Sequence, residues 1–217
     1  MAKPSAEVGP SQARPWRLAI TGASGTGKTT LGRALSERLA LPFIKEDIGE
    51  LLDAQAELSR LAGRGKLRRS HFSNHAALCQ EHIERQNTRF AQQPGFICDR
   101  FAVDVLARVL RPPFDRVGEE WFKTLLDLTK QQLESLDLIV VTPLSDWSFQ
   151  PSKNDMGRER IVAVLPKTRI HSLYSGLCVT LGPERTLFLP AGDTRHEIWI
   201  PLILKALGAA SLNPCQT

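Results

Sequence analysis

The sequence predicts a three-layer α/β fold, with about five mainly parallel strands and helices on both faces. Three observations carry this. Short β-prone apolar runs alternate with helical stretches from Arg17 to Leu207. A glycine-rich loop stands between the first strand and the first helix. The chain has 217 residues, 42% hydrophobic and 24% charged, enough for one well-buried domain and short for two.

The elements follow in order. Arg17 to Thr21 is a short β-rich run. Thr30 to Leu39 reads as a helix, because Leu31, Leu35 and Leu39 recur every four residues with Ala34 beside them. Pro42 to Lys45 is a second apolar run. The stretch from about Leu51 to Gln92 has few breakers except Gly63 and Gly65, so it predicts two helices with a basic turn between them. Gly95 to Asp99 predicts a buried strand. Asp104 to Leu110 and Glu119 to Leu136 predict helices, separated by Pro112-Pro113. Asp137 to Val141 is the most β-prone run of all. Residues 143 to 160 are loop-rich, with Pro143, Pro151 and Gly157. Arg185 to Leu189 reads as a last strand, and His196 to Leu207 as a last helix. Right-handed crossovers place ligands at the carboxyl ends of such strands.

The loop after the first strand is Gly22-Ala23-Ser24-Gly25-Thr26-Gly27-Lys28-Thr29, a full G-x-x-x-x-G-K-[ST] match, followed by Thr30. The glycines let the backbone wrap close to a polyphosphate with its N–H groups inward. The helix N-terminus adds partial positive charge. Lys28 can reach the outer phosphates, and the Thr29 hydroxyl can ligate Mg²⁺. The loop therefore predicts ATP as ligand and a P-loop NTPase fold.

The strand ending in Asp99 is the second informative place. A carboxylate there sits beside the phosphate loop and can hold Mg²⁺ through water. An ATP-hydrolysing motor typically has Glu next, to activate water; here the residue is Arg100. A guanidinium stays protonated and cannot be a base, but it grips phosphate or a substrate oxygen. The pair favours phosphoryl transfer to a bound acceptor. The plainer reading is a strand end with a surface Asp-Arg pair.

Charge and cysteines bound the partners. The net charge of +5 fits binding of ATP and an anionic substrate. Nucleic acid is a weaker explanation, because the basic run Arg64 to Arg69 has only Phe72 near it for stacking. A solvated helix end explains that run as well. No stretch of 18 apolar residues occurs, so no membrane span is expected. Cys79, Cys98, Cys178 and Cys215 are widely spaced, as in a cytoplasmic protein with reduced thiols. His71, His75, Cys79 and His82 share one side of a helix. They span some 16 Å at about 1.5 Å per residue, too far for one tetrahedral ion.

The chain resembles the nucleoside and nucleotide kinase group of P-loop kinases. Asp99-Arg100-Phe101 is similar to the Asp-Arg-aromatic motif of thymidylate kinases. Asp99 to Ala107 resembles the Asp-Arg…Asp-x-Leu-Ala run of AAA-labelled P-loop domains related to ribosylnicotinamide kinases. Leu136-Asp137-Leu138-Ile139 is similar to their fourth strand, and Asp155-Met156-Gly157-Arg158 to the Asp-Gly-x-Arg of their lid, split here by Met156.

The resemblance implies roles by position. Glu46 or Asp47 would be the general base for an acceptor hydroxyl; an acid at a helix start explains them equally. Arg158 and Arg160 would close over the transferred phosphoryl group, or are solvated loop residues. Gly192-Asp193-Thr194-Arg195 would lie near the adenine, or cap a helix. The expected organisation is a disordered tail over residues 1–15, a P-loop kinase-like ATP-binding domain over 16–209 and a C-terminal tail over 210–217. The expected activity is an ATP-dependent kinase acting on a nucleoside, nucleotide or nicotinamide riboside-like molecule. The alternative is a regulatory or nucleic-acid-associated ATPase. Oligomeric state is not legible.

Overall fold

The computed structural model describes residues 15–45, 48–112, 116, 118–151, 163–192 and 196–211. Strand β1 (Arg17–Thr21) lies at the centre of a five-stranded sheet. It pairs in parallel with β3 (Phe96–Asp99) on one side and β4 (Leu138–Val141) on the other. The edge strands are β2 (Phe43–Lys45), parallel to β3, and β5 (Thr186–Phe188), parallel to β4. The order is β2-β3-β1-β4-β5, which needs a crossover between every consecutive pair. Ile20 stands opposite both Asp99 and Val140, so the central strands end level with one another. Ligand-binding loops rise from that edge.

The pleat sends alternate residues to opposite faces. Leu18, Ile20, Ile97, Leu138 and Val140 pack with Leu31 and Leu35 of α1 (Lys28–Leu39) and with Trp199, Ile203 and Leu207 of α7 (His196–Ser211). Ala19, Phe96, Cys98, Ile139 and Val141 form the other face. They pack with Phe90 of α3 (Arg69–Ala91), Val103 of α4 (Ala102–Val109), Leu133 of α5 (Glu119–Glu134) and Cys178 of α6 (Val164–Leu181). Both faces are dry, which is why the strands read as continuous apolar runs. A further cluster joins Leu51 of α2 (Gly49–Gly63) to Cys79, Ile83, Val105, Leu106 and Leu125. The three-layer α/β P-loop fold is thus the one the sequence predicts.

Two differences have physical causes. The first helix starts at Lys28, two residues before the apolar pattern, because Gly27 at a φ of 86° turns the chain directly into it. Helix α6 fills a stretch in which the sequence reading places no element. Its faces are not segregated: Val164, Leu165 and Val179 are exposed, while Lys167 is buried beside Ile170, Tyr174 and Cys178. Pro166 reads as a breaker but falls in the first turn, where its missing N–H costs nothing. Packing against α4 and β4, not amphipathicity, holds this helix.

Candidate active site

The loop after β1 is built around φ angles open to glycine. Gly22, Gly25 and Gly27 have φ of 137°, 82° and 86°. A Cβ on Gly22 would lie 2.4 Å from the Thr142 hydroxyl and 2.8 Å from its carbonyl, so the loop also presses against the end of β4. Thr142 fixes it from below: its hydroxyl donates to the Thr21 carbonyl at 3.0 Å and shares a 2.7 Å hydrogen bond with the Thr26 hydroxyl. Helix α1 has no side-chain cap and no acid in its first turn. Its leading N–H groups are thus left to an anion. The Lys28 ammonium is buried within the loop and donates to the Ala23 carbonyl at 2.8 Å. Trp147 closes the outer side: a Cβ on Gly27 would lie 3.2 Å from its ring. Trp147 belongs to a 3₁₀ turn, Asp146–Phe149, held down by Lys167 of α6, which donates to the Ser148 carbonyl.

Thr29 and Asp99 meet directly, the Thr29 hydroxyl donating to Asp99 Oδ2. Asp99 Oδ1 is buried and has no hydrogen-bond partner. A hydroxyl and a half-satisfied carboxylate beside a phosphate cradle are a hard-oxygen donor set suited to Mg²⁺.

Arg100 leaves β3 with a φ of 80°, a left-handed conformation that costs a non-glycine residue on the order of 1 kcal/mol. Its backbone N–H still reaches the Ile20 carbonyl at 3.0 Å, so the kink falls just past the last rung of the sheet. The turn aims the guanidinium at Asp104, Nη1 to Oδ1 being 3.5 Å. Asp104 is fully buried, and its Oδ2 accepts the Phe101 N–H at 3.2 Å. Burial raises the Asp104 carboxyl pKa, while Arg100, Lys28 and the Phe101 N–H pull it back. For Arg100, burial opposes the charge, but Asp104, the hydrogen-bonded Tyr174 phenol and Asp99 outweigh it and raise its pKa. His171 stands on the same side: burial and then Lys28 lower its pKa. Tyr174 and His171 come from α6, so the element the sequence reading misses supplies one wall of the site. Their spacing with Lys167 and Cys178, three or four residues apart, is the signal that could have found it.

Further along α4, Arg108 is buried and its Nη1 donates to Gln55 Oε1 of α2 at 3.4 Å. His75 and Cys79 of α3 lie against it, ring nitrogens and sulfur 3.8–3.9 Å apart. Burial and then Arg108 lower His75 to about 4, and burial raises Cys79 to about 12. Among the described residues no group of three or more His, Cys, Asp or Glu could hold a metal ion. His71, at the helix start, instead accepts the Arg68 N–H.

The structure thus brings together Gly22 to Thr30, Asp99 and Arg100. Glu46, Asp47, Arg158 and Arg160 lie outside the described residues, as do Asp155, Met156, Gly157 and 193–195. Arg64, Lys66, Arg68 and Arg69 are exposed at the turn between α2 and α3.

A glycine-cradled phosphate loop facing a strand-end Asp-Arg pair defines a P-loop kinase-like domain. Residues 17–163 match the model of an AAA domain family, and the chain belongs to that family. No curated protein sequence matches it. Among solved structures it is similar to deoxyadenosine kinase from M. mycoides with bound dATP. There the TM-score is 0.60 and the identity 16%, over 89% of this chain and 99% of that one. Thymidylate kinase from Candida albicans gives 0.57 at 15% identity, over 93% and 94%. NadR protein in complex with NR gives 0.54 at 19% identity, over 89% of this chain and 52% of NadR, so the chain spans about half of NadR's length. At these identities the likeness is one of fold.

Proposed function

We propose that the chain is an ATP-dependent kinase that transfers the γ-phosphoryl group of ATP to a nucleoside, nucleotide or nicotinamide riboside-like molecule. One observation carries the reading. Where a motor ATPase has a glutamate to orient water, this chain has Arg100, held at the phosphate loop by an ion pair with the buried Asp104. A fixed cation there serves to grip an acceptor or its phosphate, not to activate water. Lys28 would exchange the Ala23 carbonyl for phosphate oxygens, and the bare N-terminus of α1 would receive the polyphosphate. Mg²⁺, held by Thr29 and Asp99, would supply charge neutralisation on the transferring group. Glu46 or Asp47 is the proposed base, and Arg158 is proposed to close on the phosphoryl group. The proposed domain is 16–209, between tails 1–15 and 210–217.

The test is transfer from labelled ATP to a panel of nucleosides, nucleotides and nicotinamide riboside. Transfer to at least one, with slow hydrolysis in its absence, supports the reading. Brisk hydrolysis with no acceptor would point to the second reading, a regulatory or nucleic-acid-associated ATPase. The exposed basic turn at Arg64, Lys66, Arg68 and Arg69 favours that one.

A further inference from the structure

Arg108 is a buried cation whose Nε has no hydrogen-bond partner. It is 7% exposed, and among the described residues no carboxylate lies within ion-pair distance of it. Among the described residues its one side-chain hydrogen bond is the 3.4 Å contact from Nη1 to Gln55 Oε1, and its Nε has no partner. Gln55 is 6% exposed, and its Nε2 also has no partner. Two buried groups therefore each hold an unused N–H, one of them charged. Burial of this kind is costly unless an acceptor completes it. The α3 neighbours bring no negative charge. His75 is neutral near pH 7, its pKa lowered by burial and by Arg108, and the buried Cys79 stays a thiol. Arg111, one turn further, adds positive charge: burial, then Arg108, lower its own pKa. The one buried carboxylate nearby, Asp104, pairs with Arg100 at 3.5 Å and accepts the Phe101 N–H, and Arg108 acts on it only as a more distant positive charge. Asp104 and Arg108 share one face of α4, four residues apart. Along α4, Arg108 lies about 6 Å beyond Asp104, the partner of Arg100, at about 1.5 Å per residue.

We propose that Gln55 and Arg108 form the far end of the acceptor site and hold an oxyanion of the acceptor, a carboxylate or a phosphate. The proposal rests on the kinase reading for the word acceptor, but oxyanion binding itself does not need phosphoryl transfer. It makes the acceptor an anion at the end remote from the phosphate loop, not a neutral nucleoside. Gln55 reads the geometry and Arg108 the charge.

The experiment uses the full chain with Mg²⁺ and a saturating non-hydrolysable ATP analogue, so that the phosphate loop is filled. Orthophosphate and benzoate are titrated separately at constant ionic strength, read by calorimetry and thermal midpoint. At least one should bind at a single site and raise the midpoint, which identifies the oxyanion as phosphate or carboxylate. Gln55→Ala should weaken that binding at least tenfold, and Arg108→Met should abolish it. Arg108→Met should also leave the midpoint of the anion-free protein unchanged or raised, since it removes a buried charge that no carboxylate contacts at ion-pair distance among the described residues. A sharp fall in that midpoint together with an undiminished response in Gln55→Ala makes Arg108 a structural residue and overturns the proposal. So does the absence of any response in the wild type. Binding without transfer to any acceptor would leave this site standing and remove the kinase reading. Transfer to neutral nucleosides without anion binding would do the reverse.

Discussion

The Arg100 guanidinium stands 3.5 Å from the Asp104 carboxylate, one helical turn further on and fully buried. The pair converts a strained backbone position into a fixed charge at the mouth of the phosphate loop. On the proposed kinase reading, Asp104 acts through Arg100 as a positioning residue. Asp104→Asn should therefore raise the KM for the acceptor with little effect on ATP affinity. It should also destabilise the fold by about 3 kcal/mol, because the arginine is left uncompensated. Steady-state kinetics with both substrates and chemical denaturation check the two parts. Arg100→Ala should share the kinetic effect, and Arg100→Lys should rescue poorly, since a point charge lacks the planar fork.

Lys28→Ala should lower turnover roughly 10²-fold or more and weaken ATP binding. Its ammonium contacts the loop's own Ala23 carbonyl, which also lies 2.9 Å from the Thr26 hydroxyl and so keeps a partner when the side chain is cut back. The circular dichroism spectrum should stay that of the wild type. Unchanged turnover would remove the phosphate-loop assignment.

Asp99→Asn should cost far more in kcat than in ATP affinity. The carboxylate's charge matters most as negative charge develops on the transferring group. Asn keeps an acceptor for the Thr29 hydroxyl but removes the charge. The dependence of rate on Mg²⁺ concentration should shift to higher values in the variant. An equal loss in affinity and rate would make Asp99 a structural residue.

ATP binding should be visible in tryptophan fluorescence. Trp147 lies against Gly27, and its indole Nε1 is buried without a partner. Filling the loop changes that surface. Trp147→Phe should remove most of the signal while Trp16, Trp121 and Trp199 remain. An undiminished signal would place the reporting indole elsewhere.

Much of this was legible in the sequence because its causes are local. Gly22, Gly25 and Gly27 mark a positive-φ backbone that glycine adopts without strain, and Lys28-Thr29 follow at fixed offsets. Strands buried on both faces show as apolar runs, and Asp99 ends one of them. The missed parts depend on the tertiary fold. Tyr174 and His171 sit on a helix whose apolar and polar residues are not segregated, so a search for an apolar face passes over it and only the mixed spacing of Lys167, His171, Tyr174 and Cys178 marks it. Gln55 and Arg108 are ordinary polar residues of helical stretches, and only the packing of α2 against α4 through α3 makes their burial exceptional. The histidines of α3 were readable as an unsuitable metal set. Their burial against Arg108 was not, because α4 is remote in sequence.

That burial gives the last prediction, a pH dependence. His75 is pushed down to about 4, by burial first and Arg108 second, from an ordinary value of 6.5. The unfolded chain therefore binds the proton more tightly than the native protein does. The stability gained by keeping His75 neutral is fully present above about pH 6.5 and is lost as pH falls toward 4. A shift of this size corresponds to roughly 3 kcal/mol between those limits. Carboxylates also titrate in that window, so the comparison must be with a variant. His75→Gln keeps a polar side chain of similar size beside Cys79 and Arg108 but cannot take the proton. Denaturant midpoints measured every half unit from pH 7 to pH 4 should fall more steeply in the wild type than in His75→Gln. Parallel curves would mean that the native protein protonates His75 at its ordinary pKa, with Arg108 and the surrounding helices giving way to water.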